Sequence, residues 1–101
     1  MTDRALVDLT ILDLSVGVSG AYCTRWFADF GADVIRIESP EGGDPIRSQG
    51  PFKDDAPHPE TGIPHLFLDA GKKSVALDID SVRGRDLMRQ LAARADLLVE
   101  D

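Results

Sequence analysis

Ser15, Gly17 and Gly20 follow a short aliphatic run, and Glu38 closes a second such run 18 residues past Gly20. Except at its first position, this is the G-x-G-x-x-G spacing with a distal acid that holds a dinucleotide. In that arrangement the glycines permit a tight turn and close backbone approach, the helix amides receive a pyrophosphate, and the acid binds ribose hydroxyls. With serine in place of the first glycine, the same residues also read as a strand-to-helix turn whose glycines serve packing. The spacing leaves NAD-dependent oxidoreduction and a structural turn both open.

The other candidate groups are fewer. AGKKS, residues 70–74, lacks a P-loop's first glycine, because Leu66 stands there, and Lys73 displaces the required Ser/Thr, so ATP hydrolysis is not indicated. Lys72 and Lys73 remain candidates to meet phosphates as point charges, or two solvated lysines before a strand. His58 and His65, with Asp54, Asp55 and Glu60 nearby, match no metal-ligand spacing, and no metal is expected. Cys23 falls on the apolar side of a helix and reads as a small buried hydrophobe rather than a nucleophile. No Ser/His/Asp or Cys/His constellation assembles, so no catalytic residue is assigned.

The elements that must position these groups alternate between strand and helix. Residues 10–15, TILDLS, read as a buried strand. From Ser19, Tyr22, Trp26 and Phe30 recur every four residues with Cys23 and Phe27 beside them, which predicts a helix with its aromatic cluster in the core, ended by Gly31 as its C′ residue. Residues 33–39 read as a second strand, completing a βαβ unit. Residues 40–66, where ten of 27 positions are proline or glycine, predict a long surface excursion without regular structure, serving as a binding loop or a spacer. Residues 74–80 resume a strand, Ser81 caps a helix with Leu87, Leu91 and Ala95 in one row, and DLLVED reads as a fourth strand. Gly84 is expected to weaken that helix by about 1 kcal/mol relative to alanine. The class is α/β, a Rossmann-like parallel sheet with flanking helices. The final strand reads as an edge to be covered by further chain, so a longer natural product is expected, and the 101 residues alone are expected to be poorly stable or to associate.

Composition narrows the partners. At 43% hydrophobic and 29% charged, the 101-residue chain is an ordinary globular mixture. Eleven basic against eighteen acidic residues give a net charge of -7, which lacks the footprint of a nucleic-acid binder. Any phosphate must therefore be held by local amides and a few cations. The single cysteine fits a reducing compartment. The N-terminal residues, with Asp3 and Asp8, carry no long apolar segment, and no membrane span occurs. A cytoplasmic protein without membrane association is expected.

Three stretches then appear in a telling order: ILDLS, SGAYCTRWFADFGADVIRIESPEGGDPIRSQGP, and DAGKKSVALDIDSVRGRDLMRQLAARADLLVED. Together they resemble the N-terminal part of the class III CoA-transferase family, which includes formyl-CoA transferase, carnitine CoA-transferase and α-methylacyl-CoA racemase. The resemblance covers essentially the whole chain. It implies that residues 1–101 are the N-terminal part of a Rossmann-like domain binding the CoA nucleotide, within an interlocked homodimer that moves CoA between an acyl-CoA and a carboxylic acid. CoA would then be a substrate, with no tightly bound cofactor. The turn at Gly17, Val18 and Ser19 would meet CoA, Ser39 would line the nucleotide, and Leu77 would lie beside the adenine. Asp80 stands where relatives can carry a basic contact, and that role is not transferred to it. Asp101 replaces the asparagine usual in the family, Gly20-Ala21 replaces Gly-Pro, and DSVRG replaces a Thr-Pro-Glu-Gly helix start. The family's catalytic aspartate, which attacks the acyl-CoA carbonyl, would lie beyond residue 101, as would a racemase's acid/base pair. A racemase-like epimerase and a non-catalytic CoA-binding or assembly module stand as alternatives.

Overall fold

The computed structural model describes residues 4–101, so Asp3 lies outside the described residues. Four strands, β1 (Thr10–Asp13), β2 (Asp33–Glu38), β3 (Lys73–Ala76) and β4 (Leu97–Val99), form one parallel sheet in the order β3-β2-β1-β4. They are joined by α1 (Val18–Asp29), α2 (Ile63–Leu68) and α3 (Val82–Arg94). The expected α/β class is what forms. Since β3 and β4 flank opposite edges, the connections from β1 and β3 run in opposite directions across the sheet. The strand order reverses between β1 and β4, where sheets of this type open a crevice at their C-terminal ends.

Register explains why one face of the sheet is half apolar and half ionic. Ile11 pairs with Val34 and Asp13 with Arg36, and with a two-residue period all four side chains share a face. Ile11, Val34 and Ala32 form a buried cluster against Phe27 and Ala28. One step up the strands, the same face carries Asp13 and Arg36, both fully buried.

α1 docks on this face, but not by the residues its periodicity suggests. Its buried residues are Gly20, Ala21 and Thr24, whereas Tyr22, Trp26 and Phe30 are 45%, 51% and 50% exposed and Cys23 is exposed as well. The expected aromatic core and buried thiol are thus corrected for Tyr22, Trp26, Phe30 and Cys23, while Phe27 does pack against the core. The reason is proximity: the Thr24 hydroxyl donates to Asp13 across 2.6 Å, and a Cβ on Gly20 would overlap the Ser15 side chain. Only a face of small residues permits that approach. The displaced rings pack on one another, Tyr22 edge-on to Trp26 at 6.0 Å and Trp26 stacked near Phe30 at 6.2 Å. Gly31 does end the helix, with φ of +104°.

The 40–66 excursion is more ordered than its composition predicts. Short 3-10 turns occupy Pro45–Ser48 and Lys53–Asp55, the Asp44 carboxylate caps the first of them at the Ile46 amide, and α2 begins at Ile63. Prolines at first-turn positions are compatible with these helical turns, which need no amide there. Ile46 and Leu68 bury themselves against Ala21, pinning the segment to α1. β3 ends at Ala76, four residues short of the expected strand, where Asp78 turns the chain toward Ser81, the N-cap of α3.

Candidate functional site

The loops leaving the C-terminal ends of β1, β2 and β3 enclose a cleft of about 280 Å³. Val16 comes from the first loop, Ser39 and Pro40 from the second, and Leu77, Asp78 and Asp80 from the third. The structure thus brings together Ser39 and Leu77, two residues expected near the nucleotide. Gly17, Val18 and Ser19 follow Val16 directly, with Gly17 at φ of +119° opening α1.

The start of α1 already holds an anion. The Asp101 carboxylate accepts from the Val16 amide at 2.9 Å, the Gly20 amide at 3.1 Å and the Ser19 hydroxyl at 3.3 Å. These amides, chiefly that of Val16, hold its acidity below the usual carboxylate range. A carboxylate there is what a helix N-terminus favours. The expected phosphate cradle was Gly17, Val18 and Ser19, and the anion held at this turn, by the flanking Val16 and Gly20 amides and the Ser19 hydroxyl, is the chain's own.

The two lysines do not reach the cleft. The Lys72 side chain is buried, with its ammonium 3.3 Å from Asp13, 3.1 Å from Asp69 and 3.0 Å from the Ala21 carbonyl. Lys73 is exposed at the N-terminal start of β3, at the end of the sheet remote from the cleft, and pairs with Asp33 at 3.1 Å. Neither lysine lines the cleft that holds Ser39 and Leu77. The cause is polarity of the strand: Leu77, at its C-terminal end, is the residue of this segment that faces the cleft.

Beneath the cleft lies a cluster that sequence reading did not assemble. The Arg36 guanidinium meets Asp13 at 3.1 Å, pairs with Asp44, approaches Asp69 at 3.7 Å and donates to the Ser15 carbonyl at 3.2 Å. Burial opposes ionisation of Asp13, but hydrogen bonds from Ser15 and Thr24 and the charge of Arg36 outweigh it and keep the group below its ordinary value. A signal was present, since charged residues alternate with aliphatics in DVIRIE. Nothing in that pattern distinguishes an exposed arginine from a buried one.

Glu38 belongs to a second, adjoining set. Its two carboxylate oxygens accept from Arg47 Nε and Nη2 at 2.7 Å each, and Ser74 donates to it as well. His65 donates from Nδ1 to Asp69 at 2.8 Å, and since Arg47 has only donors, His65 Nε2 accepts from its Nη1 at 3.1 Å. A buried carboxylate so engaged is not free to bind ribose hydroxyls, which removes the acid from the dinucleotide reading of the opening motif. His58 lies apart in the proline-rich loop, its Nδ1 accepting from the Glu60 amide.

Arg47 draws the acidity of Glu38 from 4.5 down to about 2. A folded value below the unfolded one gives stability that is present above about pH 4.5 and lost as pH falls toward 2. Thermal unfolding should therefore show a constant midpoint from pH 7 to 5 and a fall below pH 4.5 that Glu38→Gln flattens. An unchanged acid limb in the variant would remove Glu38 from the account.

Residues 6–101 match the family described as CoA-transferase family III. The chain belongs to that family. It is 42% identical over 89% of its length to the succinyl-CoA:(R)-benzylsuccinate CoA-transferase subunit BbsE of Thauera aromatica, and 42% identical over 96% to the succinyl-CoA:mesaconate CoA-transferase of Haloarcula hispanica. A crystal structure of a CAIB/BAIF family protein from Brucella suis superposes with a TM-score of 0.87 and 34% identity over 98% of the chain. The chain spans only 22% and 24% of the two CoA-transferases and 26% of the Brucella protein.

Proposed function

We propose that this chain forms the CoA-nucleotide end of a family III CoA-transferase, in which CoA passes from an acyl thioester to the carboxylate of an acceptor acid. The observation that carries the reading is the convergence of Val16, Ser39 and Leu77 on one cleft at the C-terminal edge of the parallel sheet. Leu77 and Ile37 offer apolar surface for a base, while Ser39 and the α1 amides from Gly17 to Ser19 offer hydrogen bonds to a phosphorylated ribose. CoA is substrate here, bound and released in each turnover.

No residue of 1–101 is assigned to the chemistry, and the nucleophile belongs to the remainder of a full-length enzyme. That enzyme is read as a cytoplasmic homodimer with residues 1–101 as the N-terminal part of its nucleotide-binding domain. The single cysteine and the absence, among the described residues, of any helix long and apolar enough to cross a membrane support that placement.

Ser39→Glu tests the cleft. Ser39 is exposed, so the fold tolerates the change, and a new carboxylate beside a phosphorylated ligand should weaken CoA binding about tenfold or more at low salt. Isothermal titration with CoA reads this directly, with NAD as the competing ligand. Equal CoA affinity in both proteins, or NAD binding where CoA does not, would refute the assignment.

A further inference from the structure

Ser15 is the residue that interrupts the glycine fingerprint of the opening turn, and its surroundings show what a serine does there. It is buried, and its amide and hydroxyl both donate to Asp13 Oδ1, at 2.9 Å and 2.6 Å. Its carbonyl accepts from Arg36 Nη2 at 3.2 Å, and its hydroxyl oxygen accepts from Arg36 Nη1 at 3.3 Å. Every polar group of the residue is thereby tied to the Asp13–Arg36 pair, whose members belong to β1 and β2. That pair is itself fixed, since Asp13 Oδ2 accepts from Thr24 of α1 at 2.6 Å and from Arg36 at 3.1 Å.

The serine also acts by shape. A Cβ on Gly20 would overlap the Ser15 Cβ and lie 2.6 Å from its Oγ, so the Ser15 side chain occupies the space against the first turn of α1. In a dinucleotide fingerprint the first glycine serves the tight turn and the third the close packing of helix on strand. Here the third is kept, as Gly20, and the first is exchanged for a side chain that lies against it.

The side chains of the turn itself do not anchor it. Val16 and Val18 are exposed, and Gly17, between them at φ of +119°, has open space where a Cβ would point. The path of the turn is therefore set at its ends, by Ser15 and Gly20. Yet the amides of Val16 and Gly20 converge on one carboxylate, that of Asp101, from opposite sides of the turn. Such convergence requires their relative position to be held within hydrogen-bonding tolerance. The amides of Val18 and Ser19, in the first turn of α1, have no acceptor within the helix and take their direction from the same two ends.

We infer that Ser15 is the positioning residue of this turn: acting through Asp13 and Arg36, it aims the backbone donors from Val16 to Gly20 at the ligand, and being buried it touches no ligand itself. The inference rests on the CoA-nucleotide reading and adds to it the group that sets the turn's geometry. It also gives the exchange of glycine for serine a physical purpose. A turn clamped by a buried side chain is ordered before a ligand arrives, so less ordering cost is subtracted from binding.

Ser15→Ala and Ser15→Gly remove the clamp in two steps, the hydroxyl alone and then the Cβ as well. By titration calorimetry, CoA affinity should weaken roughly fivefold in Ser15→Ala and roughly twentyfold in Ser15→Gly. Amide proton–nitrogen correlation spectra recorded without ligand should show the Val16, Gly17 and Gly20 resonances displaced in both. Each variant also lowers stability by leaving Asp13 a donor short, so Val34→Ala serves as the control. Val34 is buried in the apolar half of the same sheet face, and its truncation should lower the urea midpoint while leaving the turn resonances and CoA affinity unchanged. Should Ser15→Gly fail to fold, Ser15→Ala decides. Unchanged CoA affinity or undisturbed turn resonances in the Ser15 variants would overturn the positioning role and leave the cleft intact. So would a loss of affinity in Val34→Ala as large as that in Ser15→Ala. Failure of the parent protein to bind CoA would overturn the nucleotide reading, and the role of Ser15 in binding with it.

Discussion

Arg36→Leu is expected to destabilise the protein by roughly 3–5 kcal/mol. The side chain is only 2% exposed and faces three carboxylates, those of Asp13, Asp44 and Asp69. Leucine would fill part of the volume but would strand Asp13 and Asp44 without their main cation. Removing one member of a buried ion pair costs roughly 3–5 kcal/mol, and a chain of this length has on the order of 5–15 kcal/mol of total stability. Lys72 offsets part of the loss through Asp13 and Asp69, but it is not paired with Asp44. Arg36→Lys should also fail to restore stability, because a single ammonium cannot reproduce a planar fork directed at several acceptors. Lys73→Ala is the control. Its pair with Asp33 is exposed on both sides, and such pairs contribute about 0–1 kcal/mol. Urea titration followed by circular dichroism distinguishes these cases. A cooperative Arg36→Leu transition within about 1 kcal/mol of the parent would show that the buried cluster is dispensable.

The cluster bears on function through its place in the sheet. Asp13 is the last residue of β1, two residues before Ser15, whose amide and hydroxyl both donate to its carboxylate, at 2.9 Å and 2.6 Å. Val16 follows as part of the cleft wall. Asp44, near the start of the proline-rich excursion, and Asp69, just past its end, meet the same guanidinium. A loop rich in proline and glycine is thereby fixed at both ends to the strand framework, consistent with a preformed segment rather than a mobile flap.

Much of this architecture is legible in the residues. The segments read as strands, 10–15, 33–39, 74–80 and DLLVED, overlap the four observed strands, of which β1 and β2 are mostly buried and β3 and β4 mostly exposed, and the helix capped by Ser81 carries its signal locally. What the sequence conceals depends on which face of an element comes close to another. In α1 the largest apolar side chains give the strongest periodic pattern, yet the close approach of Thr24 to Asp13 places Ala21 inward and Trp26 outward. The proline-rich excursion is similar, since its order comes from tertiary contacts, Asp44 with Arg36, Arg47 with Glu38, and Ile46 with Ala21 and Leu68. Of the candidate site, Ser39 and Leu77 entered through the family resemblance, and the structure places each just past the C-terminal end of a strand. Lys72 and Lys73 could not be separated from them by charge alone, as only strand direction places the cleft at the opposite end from Lys73.

Gly84 poses the same conflict between local preference and tertiary contact, and its substitution gives the second large effect. By helix propensity, Gly84→Ala should stabilise α3 by about 1 kcal/mol. The structure predicts the reverse. An alanine Cβ would overlap the Asp78 carbonyl group and lie 2.8 Å from the Ser81 hydroxyl that accepts the Gly84 amide. The Asp78 carbonyl cannot move aside freely, because it accepts from both the amide and the hydroxyl of Ser81, at 3.2 Å and 2.8 Å. Overpacking a fixed backbone group costs roughly 1–3 kcal/mol and loss of the cap roughly 0.5–2, so a net destabilisation of about 0.5–4 kcal/mol is expected once the propensity gain is subtracted. The strain would also fall on function, since Asp78 and Asp80 form one wall of the cleft. A weaker CoA affinity should therefore accompany the lower urea midpoint in Gly84→Ala, whereas Arg85→Ala, an exposed neighbour on the same helix, should change neither. If Gly84→Ala proved more stable than the parent, the contact between α3 and the Asp78 turn would be looser than described. The third wall of the cleft would then have lost the constraint that fixes it.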